Sequence, residues 1–322
     1  MRTLRSLILA AATAAAAGFV FAGTAAADSV TVYTAGPAGL IDKLAAGFKQ
    51  KTGTDVDVFQ ATTGKMMARL QAEAANPVAD VVISASMDTA TDFGKQGLLL
   101  DYQSPNAAKV PDFLKSANYV TQGISALAIA WNPKSGTPKP EDWSDLAKPA
   151  YKDLVTMPDP KSSGSAYELV AALASAPSLG WDLFKSLGEN GMIVPGANDQ
   201  AVTPVLQGAK AAVFGAVDYL AFGQIKKGES LEVVFPKSGT VIAPRPMMIL
   251  KSSKHPDQAK AFIDYVLSDE GQAMVADAQL MPARTDIQAS RPLIGDLKVL
   301  EVDPANDRDA TLKKFSEEVA KN

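Results

Sequence analysis

The chain contains no cysteine and a single histidine, and both scarcities restrict what it does. Without cysteine there is neither a disulfide nor a thiol nucleophile, so the fold has to be stabilised by burial of a core alone. With only His255, which lies in the sequence Lys254-His255-Pro256, the usual pairs of nucleophile and base cannot be assembled. No GxSxG, HExxH or Walker sequence is present. We therefore expect no enzyme and no cofactor, with a hydrolase that uses only carboxylates left open.

The first 27 residues are typical of an export signal. Met1-Arg2-Thr3-Leu4-Arg5 is basic, an apolar alanine-rich stretch follows, and Ala25-Ala26-Ala27 fits an A-x-A cleavage site. An uncleaved anchor helix is the alternative, because residues 7–27 are just long enough to span a bilayer core of about 30 Å. A lipoprotein is excluded, since no cysteine stands at the cleavage point. The sequence predicts cleavage near Ala27 and a periplasmic location.

The length and the net charge of the chain after residue 27 indicate how it is organised and which partners it is suited to bind. Cleavage leaves 295 of the 322 residues, more than one hydrophobic core usually holds, which favours two domains. Loss of Arg2 and Arg5 takes the formal charge from −4 to −6. Because an acidic surface is unsuited to nucleic acid or to an acidic membrane, we expect neither as a partner, and we expect a monomer.

Strand-like and helix-like segments alternate after residue 28. In the first part of the chain, strands are predicted at 29–34, 55–60 and 80–84, and helices after Gly39 and over 65–75. Later, strands are predicted at 154–157, 211–217 and 231–235, and helices over 165–174 and 256–276. Strands separated by helices indicate an α/β protein with mainly parallel sheets covered on both faces.

Two long apolar segments are suited to join the two domains. They are 123–131 (GISALAIAW) and 240–250 (TVIAPRPMMIL), and each is long enough to run from one domain into the other. Two crossing strands form a hinge and make both domains discontinuous. We predict one lobe from 28–125 with 245–282, and the other from 126–244 with 283–322.

Several of these segments resemble a known family. VTVYTAGPAGLIDKLAAGFKQKTG, ADVVIS and SGTVIAPRPMMILKSSKHPDQAKAFIDYVLSDEGQ are similar to periplasmic solute-binding proteins of ABC importers, in the group with ferric-iron, phosphonate, sugar-phosphate and thiamine receptors. The resemblance covers essentially the whole chain after residue 27. It implies a type II periplasmic binding protein, with two α/β lobes, a two-strand hinge and a ligand in the cleft. It also implies a membrane permease as partner.

The residues expected of the iron receptors in this group are mostly missing. Those proteins usually carry a histidine after the first strand, a glutamate near the second helix and two adjacent tyrosines in the second lobe. The matching stretches here are TAGP at 34–37, TGKM at 63–66 and, at best, Asp218-Tyr219. Ferric ion prefers anionic oxygen ligands, so we predict no metal site. A ferric protein that uses Tyr219 with a synergistic anion or a chelate is the alternative.

Three loops after predicted strands are rich in glycine and hydroxyl side chains. Free N–H groups at helix N-termini attract anions, and glycine allows an anion to approach the backbone. Such loops meet at the carboxyl ends of the strands, which predicts a site for a phosphoryl or phosphonyl group. Each loop alone is equally explained as a helix cap, and Ser84, a weaker contributor, by strand termination. The predicted residues are Gly36, Thr62, Thr63, Gly64, Ser84, Ser162, Ser163, Gly164 and Ser165.

The other end of the ligand is assigned to Asp218 and Tyr219, which follow the predicted strand 211–217. A carboxylate pairs with an ammonium group or accepts from sugar hydroxyls, and a phenol ring stacks or donates. The alternative is a helix cap by Asp218 with Tyr219 in the core. Arg245 is predicted to neutralise the anion, although a surface ion pair is the commoner role for an arginine.

The predicted ligand is a small phosphorylated or phosphonate organic anion such as 2-aminoethylphosphonate. A module for adhesion or chemosensing is not distinguishable from a transport receptor by these residues.

Overall fold

The structure, a computed structural model, describes residues 29–177, 179–300 and 307–319. The predicted signal peptide and its cleavage near Ala27 lie outside these residues. Within the described ranges, no helix combines the length and apolarity needed to cross a membrane.

The described residues form an α/β protein with strands and helices in alternation. The strands are β1 (Ser29–Thr34), β2 (Asp55–Gln60), β3 (Val81–Ile83), β4 (Val120–Trp131), β5 (Val155–Pro158), β6 (Ile193–Gly196), β7 (Ala212–Val217), β8 (Glu232–Val234), β9 (Val241–Ile249) and β10 (Met281–Pro282). The α-helices are α1 (Ala38–Thr52), α2 (Thr63–Ala72), α3 (Met87–Lys95), α4 (Gly164–Ser175), α5 (Gly180–Glu189), α6 (Asn198–Leu206), α7 (Asp218–Lys226), α8 (Pro256–Val266), α9 (Asp269–Asp277) and α10 (Arg308–Val319).

All strands belong to one sheet with the order β2-β1-β3-β9-β4-β7-β5-β6, while β8 and β10 pair with β4. Two parallel groups, β2-β1-β3 and β7-β5-β6, lie at the two ends. The long strands β4 and β9 join these groups through antiparallel pairing. The α/β class and the mainly parallel ends are therefore as the sequence predicted.

Separate hydrophobic cores lie on either side of β4 and β9. One contains Val30, Phe48 and Phe262, and the other contains Trp143 and Phe214. Along β4 the side chains change from the first core to the second between Ala126 and Leu127. Along β9 the change falls between Ala243 and Met247. We call the two parts the first and the second lobe.

The C-terminal segment contributes to both cores. Leu293 and Leu297 pack against the first core, whereas Phe315 and Val319 lie in the second. The predicted lobe limits are 28–125 with 245–282 and 126–244 with 283–322. That these two sets of residues move as units stays a prediction.

The segment 256–276, predicted as one amphipathic helix, is two helices. α8 ends at Val266, and the Ser268 hydroxyl accepts a hydrogen bond from Gly271 N at 3.2 Å to begin α9. A serine cap therefore breaks an apolar pattern that continues through both helices.

Candidate functional site

A cleft of about 610 Å³ lies between the two lobes. Every part of its lining lies at, or follows, the carboxyl end of a strand: β1, β2 and β3 in the first lobe, and β5, β6 and β7 in the second. The corresponding segments are 35–38, 59–63 with 65, Ala85, 162–164, 197–199 and 219–220. This is the position where ligands bind in open α/β sheets.

Five helices begin at this cleft. The lining includes the starts of α1, α2, α4, α6 and α7, so their first N–H groups surround one space. Each helix N-terminus carries roughly half a positive charge. Their convergence favours a negative group in the cleft, because each N-terminus contributes partial positive charge.

The first two predicted loops line this cleft. Gly36 is buried, and its N–H donates to Thr34 Oγ1 at 3.0 Å. Thr62 caps α2 by accepting from Lys65 N at 3.4 Å. Thr63 is only 2% exposed, and its hydroxyl has no hydrogen-bond partner. An unpaired hydroxyl in a cleft wall is available to a ligand, because a buried polar atom without a partner is costly.

The third predicted loop faces the second across the cleft. Ser163 caps α4 by accepting from Ala166 N at 3.2 Å, and its hydroxyl donates to Asn198 Oδ1 at 3.0 Å. Ser162 donates to Asp159 Oδ2 at 2.9 Å. Ser165 is fully buried behind the lining, 3.1 Å from Ser163 in Oγ to Oγ distance.

Two glycines allow the lobes to touch. Gly64 N donates to the carbonyl oxygen of Ser162 at 3.2 Å, which joins the first lobe to the second. A Cβ atom at Gly64 would lie 2.5 Å from the Lys161 carbonyl oxygen. A Cβ atom at Gly164 would lie 2.8 Å from Thr63 Oγ1. Neither position has room for a side chain while the lobes are in contact.

Arg245 lies directly behind the cleft wall, 1% exposed. Its Nη1 donates to the Ala35 carbonyl oxygen at 2.9 Å, and its guanidinium carbon lies 5.2 Å from the centre of the Tyr219 ring. Its Nε has no hydrogen-bond partner. No carboxylate of the described residues forms an ion pair with it. Because Ala35 and Tyr219 line the cleft, this buried cation acts on its interior.

Further unpaired polar atoms lie at the same end of the cleft. β4 carries one extra residue between Thr121 and Ile124, opposite Arg245 of β9, and such a bulge redirects side chains. The Gln122 side-chain oxygen and the Thr121 hydroxyl are buried there without partners. A Cβ atom at Gly36 would lie 3.8 Å from that Gln122 oxygen.

Tyr219 is half-buried in the lining, at the start of α7. Burial raises the pKa of its phenol, and the neighbouring Arg245 charge opposes that rise only in part. The ring therefore stays protonated and serves as a donor or a stacking surface.

Two predicted site residues are engaged inside the protein. Asp218 is fully buried and accepts from Ala126 N at 2.8 Å and Tyr219 N at 2.7 Å, and it forms an ion pair with buried Arg291. Ser84 is fully buried, 2.8 Å from Thr89 in Oγ to Oγ1 distance. Neither lines the cleft, so we omit both from the site proposed below.

Asn198 and Asp199, which were not predicted as site residues, line the cleft at the start of α6. Their signal is the polar sequence Asn198-Asp199-Gln200 before an apolar stretch, a pattern typical of a helix start. Lys65 also lines the cleft and contributes the only lysine of the lining.

The lining supplies few ligands for a metal. It contains one carboxylate, Asp199, and one phenol, Tyr219. Among the residues that the structure describes, no three His, Asp or Glu side chains are placed to hold a metal ion.

The sequence profile of the bacterial extracellular solute-binding proteins matches residues 30–278. The chain belongs to this family. One relative is the phosphoglycerate transport regulatory protein PgtC of Salmonella typhimurium, 25% identical over 69% of this chain and 57% of its own length. Another is iron uptake protein A1 of Synechocystis, 25% identical over 77% of this chain and 74% of its own.

Solved structures confirm the fold. The periplasmic binding protein AfuA from Actinobacillus pleuropneumoniae, with fructose-6-phosphate bound, has a TM-score of 0.83 at 25% identity. The alignment covers 92% of this chain and 99% of AfuA. The expectation of a type II periplasmic binding protein is thus confirmed, and the chain is by family a substrate-binding component of an ABC importer. Proteins of this kind bind and deliver solutes without converting them.

Proposed function

We propose that the cleft binds a small organic anion with a phosphoryl or phosphonyl group, and that the loaded protein delivers it to the permease of an ABC importer. One observation carries this proposal: five helix N-termini surround a cleft, and directly behind its wall lies the buried guanidinium group of Arg245, which has no ion pair among the described residues. In this proposal Gly36, Thr62, Thr63, Ser162, Ser163 and Gly164 surround the anion, with Gly64, Ser165, Tyr219 and Arg245 in support.

The charge of Arg245 is the strongest argument for an anion. A guanidinium group stays protonated in proteins, and a buried charge without a partner is unfavourable. An anion in the cleft offsets that charge across Ala35 and Tyr219, because electrostatic interactions are strong where water is excluded. The helix N-termini act in the same direction.

The size and polarity of the cleft favour a ligand larger than inorganic phosphate. A volume of about 610 Å³ lies within the range for small organic ligands, roughly 300 to 1,000 Å³. Asn198 and Gln60 supply amide groups beside the loops, and they suit hydroxyl groups of a ligand. An ammonium group of a ligand would meet Asp199, the one carboxylate of the lining.

Relatives support the phosphoryl class. AfuA holds fructose-6-phosphate in its structure, and PgtC is named for phosphoglycerate transport. These ligands belong to those proteins, and their shared phosphate group is what we carry over.

Iron is the competing ligand, because one relative is named for iron uptake. Ferric ion requires several anionic oxygens, and the lining has one carboxylate and one phenol whose pKa is raised by burial. A ferric ion would bring its own anion or chelate to this cleft. The test below includes that outcome.

The proposal is tested by thermal unfolding of the protein without its first 27 residues, in the presence of single compounds. The panel consists of inorganic phosphate, 2-aminoethylphosphonate, fructose-6-phosphate, 3-phosphoglycerate and ferric citrate. A ligand at 100 times its Kd stabilises by about 2.7 kcal/mol. A shift with a phosphonate or phosphate ester supports the proposal. A shift with ferric citrate alone, with visible colour from a tyrosinate complex, contradicts it.

Two variants then test whether the charge of Arg245 contributes to ligand binding. Arg245→Met keeps volume without charge, and we expect it to weaken binding of the responding anion by about 10- to 100-fold, because the charge acts on the anion at short range where water is excluded. The control is Arg284→Met, whose arginine pairs with Asp269 and Asp286 outside the cleft and leaves affinity unchanged. Equal affinity in both variants contradicts the role of Arg245.

A further inference from the structure

A second contact between the lobes lies where α3 of the first lobe begins against α4 of the second. Glu168 of α4 is 4% exposed. Its Oε1 accepts hydrogen bonds from the Ser86 hydroxyl at 2.7 Å and from Met87 N at 2.9 Å. One carboxylate of the second lobe thus receives two donors from the first lobe. It lies one turn along α4 from the cleft loop 162–164 but does not line the cleft.

This carboxylate caps α3 from the opposite lobe. Ser86 stands at the N-cap position of α3, yet its own side chain makes no capping hydrogen bond. The first helical N–H, that of Met87, instead donates to Glu168. The first N–H groups of a helix have no partner within the helix, so the accepting oxygen of Glu168 satisfies one of them. When the lobes separate, α3 loses its cap and Glu168 loses both donors.

Two charged groups, Asp88 and Arg308, lie near Glu168. Asp88, the second residue of α3, brings a like charge, and the guanidinium of Arg308 lies 3.8 Å from Asp88 Oδ2. The Arg308 guanidinium carbon lies 4.1 Å from the centre of the Tyr167 ring. Burial first, and then the charge of Asp88, raise the pKa of Glu168 to about 7, against the hydrogen bonds from Ser86 and Met87 and the charge of Arg308.

We propose that Glu168 is a positioning residue that holds the two lobes together, and so raises the affinity for the ligand without touching it. When the lobes close, the carboxyl group of Glu168 moves from water to the start of α3. The free energy of this transfer changes the ratio of closed to open molecules, and therefore the affinity for the ligand. The inference rests on the proposed function only in taking the cleft as the ligand site.

The protonation of Glu168 gives this contact a pH dependence with a defined sign. In the separated lobes the carboxyl group is solvated and titrates near its ordinary value of 4.5, whereas in the contact it titrates at about 7. Closing therefore takes up a proton between these values, and the closed arrangement gains stability as the pH falls from 7 towards 4.5. That gain is lost as the pH rises through 7. The protonated group still accepts both hydrogen bonds through Oε1.

The test measures the distance between the lobes without any ligand. Because the chain has no cysteine, the substitutions Lys43→Cys in α1 and Lys185→Cys in α5, both at exposed positions, accept a pair of spin labels without interference. Pulsed electron paramagnetic resonance then gives the ratio of closed to open molecules. Between pH 8 and pH 5.5 we expect this ratio to rise on the order of 10-fold or more, since each pKa unit is a factor of 10.

Two substitutions separate the cap from the charge. Glu168→Gln keeps the accepting oxygen without a charge. At every pH, we expect this variant to show the closed fraction that the wild type shows at pH 5.5. Glu168→Ala removes the acceptor and is expected to be more open than the wild type at pH 5.5, where the wild-type carboxyl group is protonated and accepts both hydrogen bonds. The control Glu317→Gln, at an exposed position of α10, keeps the wild-type profile.

Two results overturn the inference: a Glu168→Ala distance distribution equal to that of the wild type at pH 5.5, or a wild-type pH profile that persists in Glu168→Gln. Thermal unfolding of each variant checks that it is folded, and Glu168→Gln decides the question if Glu168→Ala is not. The ligand class is judged separately, by titration with 2-aminoethylphosphonate and fructose-6-phosphate. If neither binds, the proposed ligand class fails while the distances still decide the role of Glu168.

Discussion

The buried pair of Asp218 and Arg291 allows a quantitative test of how this protein uses its buried charges. We consider the change Asp218→Ala. The substitution removes the only acidic partner that Arg291 has in the described residues and an acceptor for two backbone N–H groups, those of Ala126 and Tyr219. Arg291 stays buried, with Nη1 donating to the Gln279 carbonyl oxygen at 2.5 Å.

The expected cost is large because an uncompensated charge remains inside. Loss of one member of a buried ion pair destabilises a protein by about 3 to 5 kcal/mol. For a chain somewhat larger than 250 residues, 1 kcal/mol corresponds to about 2 °C in Tm, so Asp218→Ala should lower Tm by roughly 6 to 10 °C. Arg291→Met should cost a similar amount, because it leaves a buried carboxylate.

The decisive assay is a double-mutant cycle followed by thermal and urea unfolding. Removing both charges in Asp218→Ala with Arg291→Met should cost less than the sum of the single changes, by at least about 1 kcal/mol. Asp309→Ala, at an exposed position of α10, is the control and should change Tm little. Single costs below about 1 kcal/mol, or additive effects, would refute the reasoning and return Asp218 to consideration as a ligand residue.

Two further predictions concern the lobe contact and a buried carboxylate. Alanine is compatible with the helical backbone at Gly64, but its Cβ atom would lie 2.5 Å from the Lys161 carbonyl oxygen. Gly64→Ala should therefore keep the lobes apart and weaken ligand binding. The prediction is contradicted if X-ray scattering with saturating ligand gives the same radius of gyration for Gly64→Ala as for the wild type. Although burial opposes it, hydrogen bonds from Thr31 N, Ser253 and His255 hold the pKa of Asp80 below its usual 3.8. The contribution of Asp80 to the free energy of unfolding is present above pH 3.8 and is lost as the pH falls further. The Tm difference between wild type and Asp80→Asn should therefore narrow from pH 5 to pH 3, and a constant difference would contradict this prediction.

The strands of the first lobe were predictable because their signals are local. β1 and β2 run from 29 to 34 and from 55 to 60 as predicted, since β-branched residues end at turn-forming residues. The three loops follow those and similar strands, and parallel strands bring their carboxyl ends to one edge. That topological rule explains why residues far apart in sequence line one cleft.

What was not predictable depends on contacts distant in sequence. Arg291 lies 73 residues from Asp218 in the sequence, and the residues around Asp218 do not indicate that Arg291 is its partner. β4 begins at Val120, three residues before the predicted strand, because the polar residues Thr121 and Gln122 hide its start. Those side chains are buried in a strand that runs between the two lobes, and their polarity breaks the apolar pattern that identifies a strand.

The passage of β4 and β9 between the lobes also dictates an order of events during synthesis. The first core needs Val30 and Ala283 together, so it cannot be completed until the ribosome has passed residue 283. At about 5 to 20 residues per second, the apolar residues of the first core remain without their partners for roughly 10 to 50 s. An unfinished chain therefore lacks a complete first core for most of its synthesis, and the second core, although most of it lies between residues 127 and 243, also waits for Phe315 and Val319.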